Sequence, residues 1–145
     1  MAKSPVIDLY FQCDMTGVPE EWLSEKSKLA VAECLLHPGT EDPVLPELEE
    51  IEVTLVTDET IAQVHGEFMD DPTPTDVITF HHGEILVSVD TARSVAEEHG
   101  NSVPEETFLY IIHGLLHLNG HTDLNEPERT EMHRIQEEIL AKLIA

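Results

Sequence analysis

The sequence predicts one α+β domain over residues 1–145, in which a small mixed sheet of three or four strands packs on several helices. Three observations lead to this fold class. Short apolar or alternating runs, bounded by turn residues, recur along the first two thirds of the chain and are typical of strands. Longer segments that begin at capping residues are typical of helices. The length is that of one ordinary domain, which can bury a core without disulfides.

The first third of the chain predicts a strand, a helix and a second strand. Residues 5–12 alternate apolar and polar side chains, which is the period of a half-buried strand. Residues 19–36 place acids in the first turn and apolar side chains on one broad side, as an amphipathic helix does. Residues 37–50 are rich in proline and acids and predict a loop or surface connection. Residues 51–57 form the clearest strand.

The middle of the chain predicts a helix followed by a pair of strands. Asp58 is placed to cap a short helix that ends near Phe68. Residues 70–75, with the sequence DDPTPT, predict a turn. Residues 77–80 and 85–89 are short apolar runs separated by a turn, so we expect them to pair as neighbouring strands.

The last third predicts three helices. Asp90 is placed to cap the first of them, which ends near Gly100. Residues 102–105, Ser-Val-Pro-Glu, form a capping box with proline in the first turn and open the second helix. That helix runs up to Gly120, which suits a left-handed C-terminal cap. Asn125 opens a last helix that runs nearly to the C-terminus.

The charge balance is extreme, with 30 acidic residues against 7 basic residues and a formal net charge of −23. Such a surface repels phosphate backbones, because nonspecific affinity for nucleic acid comes mostly from lysine and arginine. It suits solubility in a salty cytoplasm, where screening shortens the reach of self-repulsion. Cys13 and Cys34 are isolated, so we expect reduced thiols in a cytoplasmic protein. The sequence shows neither a bilayer-spanning apolar run nor a signal peptide, and no membrane partner is expected.

The stretch IIHGLLHLNGHTD has the spacing of a metal site. His113 and His117 are one helical turn apart and share a side of the predicted helix, where two imidazoles can bind one divalent cation. The helix then breaks at a glycine, and the spacing of metzincin-type sites places the third ligand at Asp123. His121 is the competing candidate, because nitrogen is the commoner third ligand. Three protein ligands would leave a fourth position open to water, as in a catalytic zinc site.

Gly114 follows the first histidine, where zinc peptidases of the HExxH type carry a glutamate. That glutamate activates the zinc-bound water and protonates the leaving amine, and glycine can do neither. Metal-assisted cleavage of a phosphodiester depends less on such a base, and the ribose 2′-hydroxyl of RNA is an internal nucleophile. Gly114 therefore favours phosphate chemistry over peptide chemistry.

The remaining histidines stand outside this stretch. Each of one group lies in a loop or among charged neighbours and is interpreted as a surface residue. These are His37, His65, His99 and His133. A second group ends the predicted strand over 77–80 and is a candidate for lying near the site. These are His81 and His82.

At three motifs the chain resembles the YbeY family. HGLLHLNGHTD resembles the family's His-Gly-x-Leu-His-Leu-x-Gly signature with its closing ligand triplet. PTDVITF (74–80) resembles its Pro-Thr-Asp-Val-Leu-Ser-Phe segment, and GEILVS (83–88) resembles the strand that follows. The resemblance implies a zincin-like metal helix with one Zn²⁺. It assigns ligands to His113, His117 and Asp123, the last standing where the family usually has its third histidine.

The resemblance also implies an activity. The family consists of zinc-dependent, single-strand-specific endoribonucleases that act in ribosomal RNA processing, notably maturation of the 16S rRNA 3′ end, and in ribosome quality control. The implied partners are ribosomal RNA, the small ribosomal subunit and ribosome-associated proteins, in the cytoplasm.

Two departures from the family leave other functions open. The family usually has an arginine shortly before the Pro-Thr-Asp-Val segment, whereas Phe68 is followed here by Met69. The seven basic residues are also scattered in sequence. A metallopeptidase or another metal hydrolase would suit the acidic surface. A non-catalytic ribosome assembly factor with a structural metal would suit the loss of the arginine.

Overall fold

A computed structural model describes residues 4–145, so residues 1–3 of the predicted domain lie outside the described part of the chain. Within that part strands and helices alternate up to a pair of consecutive strands, three helices follow, and the predicted α+β class is confirmed. The elements are β1 (Val6–Phe11), α1 (Glu20–Leu35), a 3-10 turn (Leu45–Glu47), β2 (Glu50–Val56), α2 (Asp58–Met69), β3 (Val77–Phe80), β4 (Glu84–Ser88), α3 (Val89–His99), α4 (Val103–Leu118) and α5 (Glu126–Ile144).

The four strands form one mixed sheet in the order β1-β2-β4-β3. The strands β1, β2 and β4 are parallel, with Leu9 opposite Val53 and Val53 opposite Ile85. The strand β3 is antiparallel to β4 and forms one edge of the sheet, with Thr79 opposite Ile85. The predicted pairing of these two short strands is therefore confirmed.

Helix α4 lies at the centre of the core. The sheet and the helices α1, α3 and α5 all pack against it, and an apolar helix of this kind is stable only when it is enclosed. Its large, fully buried side chains are Phe108, Ile111, Ile112, Leu115, Leu116 and Leu118. None of the helices within residues 4–145, α4 included, combines the length and the apolar composition that crossing a lipid bilayer requires.

The caps of α2 and α3 differ from those predicted. Thr57 rather than Asp58 caps α2, through a side-chain oxygen that accepts a backbone N–H of the first turn. Ser88 rather than Asp90 caps α3 in the same way. Asp58 Oδ1 instead accepts from Ser88 Oγ and Thr91 Oγ1, both at 2.6 Å, and Asp90 Oδ2 accepts from Asp58 N at 2.8 Å. The aspartates were misassigned because their partners are distant in sequence.

Both cysteines are free thiols, but they differ in environment. Cys34 lies in the core on α1, and burial raises the pKa of its thiol far above the ordinary value. Cys13 is partly exposed, and burial raises its pKa as well. The thiolate, which is the reactive form, is therefore suppressed most strongly at Cys34.

We expect iodoacetamide to alkylate Cys13 in the folded protein and to spare Cys34. The reagent needs an accessible thiolate. The Cys34 thiol is buried in the core, and the same burial keeps it protonated. Peptide mass spectrometry before and after unfolding in guanidinium measures the difference. Equal modification of the two residues in the native protein would contradict this placement of Cys34.

Candidate metal centre

The C-terminal half of α4 presents two imidazoles on a partly open strip of this helix. The side chains of His113 and His117 are 16% and 28% exposed. Their rings meet edge to face with centroids 4.6 Å apart, and the two Nε2 atoms are 3.0 Å apart. The four-residue spacing thus brings both rings to one side of the helix.

A close backbone crossing positions the segment that follows α4. Gly120 has a positive φ of 93°, and His121 N donates to Leu116 O at 3.0 Å, which closes a left-handed helix end. A Cβ at Gly120 would lie 2.4 Å from Glu41 O, and a Cβ at Gly39 would lie 2.2 Å from Gly120 O. The two backbones can pass this closely only because both positions are glycine.

The segment predicted as a loop or surface connection, 37–50, takes part in this crossing. The backbone N–H groups of Gly39, Glu41 and Val44 donate to carbonyls at and just beyond the end of α4, at distances from 2.8 to 2.9 Å. Carbonyls at a helix end have no partner within the helix, so this segment satisfies groups that would otherwise be orphaned. Sequence reasoning missed this pairing, which holds the chain that leads to Asp123.

The carboxylate of Asp123 closes the site. Its Oδ2 atom lies 3.7 Å from His113 Nε2 and 4.0 Å from His117 Nε2. The ligand atoms of these three residues all lie within 4.8 Å of one another. In the described range 4–145, they form the only group of three His, Cys, Asp or Glu side chains with that spacing. The structure therefore brings the three predicted residues together.

His121, the competing third ligand, points away from this group. Its ring is buried at 8% exposure, and its Nε2 lies 2.6 Å from the carbonyl oxygen of half-buried His37. This contact ties the turn after α4 to the chain just beyond α1. The geometry thus groups Asp123, and not His121, with the two histidines.

Each histidine of the site has an oxygen acceptor behind its ring. His113 Nδ1 lies 2.8 Å from Gln136 Oε1, and His117 Nδ1 lies 3.1 Å from the backbone carbonyl of His121. Such an acceptor keeps the ring proton on Nδ1, so the Nε2 lone pairs face the space beside Asp123. Sequence reasoning missed Gln136, although a polar residue on the buried strip of α5 was a readable signal.

The site is rich in lone pairs, and His117 resists protonation. Burial lowers the pKa of His117 below its ordinary value, and the neighbouring His113 lowers it further, whereas Asp123 raises it. Two neutral imidazoles and a carboxylate are a donor set that Zn²⁺ accepts, with a fourth position left for water. The donor chemistry of these residues therefore fits one divalent cation.

Gly114 faces the sheet and not the site. A Cβ at this position would lie 2.9 Å from Ile85 Cγ2 and 3.2 Å from Thr79 Oγ1. Helix α4 therefore packs directly on β3 and β4 at this turn, and interiors of this density leave no room for a glutamate. Packing thus excludes the base that zinc peptidases of the HExxH type use.

The other histidines do not join the site. The interpretation as surface residues is confirmed for His99 and His133, which are exposed. It is wrong for His65, whose side chain is only 17% exposed and whose Nδ1 lies 2.9 Å from the carbonyl oxygen of Thr73. His81 and His82 are exposed at the β3–β4 turn, and neither belongs to the group of three ligand residues.

Comparison with known proteins decides the family. A family model described as Endoribonuclease YbeY matches residues 18–144. The chain belongs to the YbeY family. The endoribonuclease YbeY of Bacillus licheniformis is 36% identical over 147 residues, covering 88% of this chain and 89% of the relative. That of Bacillus subtilis is 32% identical over 147 residues, covering 88% and 90%. The resemblance inferred from the motifs is confirmed.

A solved structure agrees with the fold of this YbeY-family chain. The solution structure of TM1509 from Thermotoga maritima has a TM-score of 0.65 and 24% sequence identity, and covers 95% of this chain and 89% of that one. At this identity the likeness supports the fold alone.

The three arginines of this YbeY-family chain are engaged with acceptors. Met69 stands, exposed at the end of α2, where the resemblance implies an arginine. Arg93 donates to two backbone carbonyls, and Arg134 pairs with glutamates of α5. Arg129 lies next to the loop between α4 and α5, where its Nε donates to the backbone oxygen of Asp123 at 3.1 Å. These arginines therefore support the fold rather than line one groove.

We expect Gly114→Ala to lower the free energy of unfolding by about 1–3 kcal/mol, the usual cost of overpacking a core. The added methyl would press on Ile85 and Thr79. Gly66→Ala in α2 is the comparison and should cost less, since its Cβ would meet Pro72 Cα at 3.3 Å rather than a neighbour at 2.9 Å, and alanine favours a helix interior by about 1 kcal/mol. Urea unfolding measures both, and an unchanged midpoint for Gly114→Ala would show that α4 is not packed so closely.

Zinc titration of two variants should identify the third ligand. Asp123→Ala removes a group 3.7 Å from His113 Nε2, so we expect a larger loss of zinc affinity than the roughly 10–100-fold typical of outer-shell changes. His121→Ala leaves the three ligand residues intact and should stay within that range. Competition with a chromophoric chelator measures both dissociation constants. The reverse order would move the third ligand to His121.

Proposed function

We propose that this chain is a zinc-dependent, single-strand-specific endoribonuclease that acts on ribosomal RNA. The observation that carries the proposal is the convergence of ligand atoms from His113, His117 and Asp123 within 4.8 Å, in a member of the YbeY family. These three residues would hold one Zn²⁺. The curated relatives that support this activity are named endoribonucleases.

The chain contributes three closely spaced ligand groups to this chemistry. A bound zinc ion would lower the pKa of water and neutralise charge that grows on the phosphoryl oxygens. Gln136 and the carbonyl of His121 keep the ring protons on Nδ1, so both Nε2 lone pairs are ready for the ion. Gly114 offers no base, and RNA carries its own nucleophile in the ribose 2′-hydroxyl.

The internal nucleophile favours unpaired RNA. Attack by the 2′-oxygen requires it to stand nearly in line with the phosphorus and the leaving oxygen, a geometry that a flexible single strand reaches and an A-form helix does not. Family membership supports the finer assignment to 16S rRNA 3′ end maturation and ribosome quality control. The proposed partners are the small ribosomal subunit and ribosome-associated proteins in the cytoplasm, a compartment that suits the free thiols.

The negative surface charge repels RNA, so most of the attraction to this substrate has to come from the metal. A net charge of −23 repels a polyanion, and all three arginines of the chain are already paired with carbonyls or carboxylates. The metal centre is then the principal attraction for a phosphodiester. Screening by salt should help the encounter, contrary to the behaviour of basic nucleases.

We expect the zinc-loaded protein to cleave an unpaired RNA oligonucleotide, and a chelator or His117→Ala to abolish cleavage. His133→Ala is the matched control, because that histidine is exposed on α5 and lies outside the group of ligand residues. Cleavage should also become faster as KCl rises from about 0.05 to about 0.5 M, because repulsion is screened over shorter distances. Equal cleavage by His117→Ala would remove the proposal, and a steep fall with salt would refute the charge argument.

One observation favours a second function. Met69 in place of the arginine would suit a ribosome assembly factor whose metal only stabilises the fold. In that case chelation lowers the melting temperature, no RNA is cut, and association with the small subunit persists.

A metallopeptidase has the acidic surface in its favour and the packing of Gly114 against it. Casein hydrolysis that His113→Ala abolishes would promote that alternative.

A further inference from the structure

Gln136 is a buried polar residue on an otherwise apolar strip of α5. Its neighbours Met132, Ile135 and Ile139 are buried, and Gln136 itself is only 8% exposed. A buried amide is costly unless it is hydrogen-bonded. Here its Oε1 atom lies 2.8 Å from Nδ1 of His113. The contact with this histidine therefore explains why an amide occupies the position.

The orientation of the amide decides which nitrogen of His113 carries the ring proton. When Oε1 faces Nδ1, the Nδ1–H group donates and the Nε2 lone pair is free for a cation. If the amide nitrogen faced Nδ1, the proton would sit on Nε2 and donate to His117 Nε2, 3.0 Å away. That second tautomer would close the site to a metal ion.

Of the two acceptors behind the histidines, only Gln136 is a side chain. His117 uses the backbone carbonyl of His121, which no substitution removes. A substitution at Gln136 can therefore alter the hydrogen bonding of His113 without replacing the histidine itself.

The lack of charge at Gln136 also has a consequence, because Asp123 already brings a negative charge to the group. Zinc with two neutral imidazoles and one carboxylate keeps a net positive charge. A second carboxylate at position 136 would cancel that charge close to the ion. An anionic phosphodiester is attracted to a positive centre and far less to a neutral one.

We propose that Gln136 is a positioning residue of the metal centre. Its carbonyl holds His113 in the tautomer that accepts a metal, and its neutrality keeps the zinc site attractive to a phosphodiester. The first half concerns metal binding alone, whereas the second half rests on the proposed endoribonuclease function. An amide that served only the core would change folding stability, but it would leave metal affinity unchanged.

Two substitutions separate the hydrogen bond from the charge. Gln136→Met removes the acceptor at similar length, and Gln136→Glu keeps an acceptor but adds a charge. Gln63→Met, at an exposed glutamine of α2, is the matched control. We expect zinc affinity to fall about 10–100-fold in Gln136→Met, and to be at least as high as in the parent in Gln136→Glu. Competition with a chromophoric chelator measures the affinities, and thermal unfolding of the metal-free variants reports folding separately.

Nitrogen-15 NMR of the metal-free protein reads the tautomer directly. The proton of His113 should reside on Nδ1 in the parent, and Gln136→Met should shift the population toward Nε2. A parent with the proton on Nε2 would overturn the positioning half. Zinc affinity in Gln136→Met equal to that of the parent would overturn it as well.

Cleavage of unpaired RNA at saturating zinc tests the charge half. Gln136→Glu should cleave more slowly than the parent by about tenfold or more, although its zinc is bound, because the attraction to the phosphodiester is lost. Equal rates would overturn this half. If the parent itself cleaves no RNA, the proposed function and the charge half both fail, whereas the affinities and the NMR spectra still decide the positioning half.

Discussion

The enclosure of α4 is the constraint on which the rest of the structure depends. The sheet and three helices bury its apolar side chains, so only a narrow strip of the helix remains partly open, and His113 and His117 lie on that strip. The same enclosure presses Gly114 against Ile85 and Thr79. Packing therefore explains why no glutamate follows the first histidine. The same absence removes the base that peptidases of the HExxH type use.

The ligand atoms of His113, His117 and Asp123 repel one another, so the protein has to hold them together. Two Nε2 lone pairs and a carboxylate repel one another until a cation joins them, and the chain resists this repulsion with rigid supports. Gln136 and the carbonyl of His121 fix the two rings from behind. The crossing of Gly39 and Gly120 fixes the turn that leads to Asp123. These supports hold the ligand atoms of the three residues within 4.8 Å of one another.

The distribution of charge links this site to the acidic surface. A carboxylate among the ligands lowers the positive charge of a metal centre in a chain whose net charge is already −23. A neutral amide behind His113 adds no further negative charge. In the proposed function, phosphate attraction is therefore concentrated at the metal, whereas Arg93 and Arg129 donate to loop carbonyls and Arg134 pairs with glutamates of α5.

The sequence by itself determined the order of helices and strands, the histidine pair and the candidate third ligands, because these depend on local periodicity and spacing. Only the tertiary structure placed Asp123, and not His121, beside the two histidines, since the carbonyl of His37 holds the His121 ring. The contacts of Asp58 and Asp90 and the support from Gln136 escaped prediction for the same reason. Their partners lie far away in sequence, and local patterns carry no information about contacts that the packing of distant segments creates.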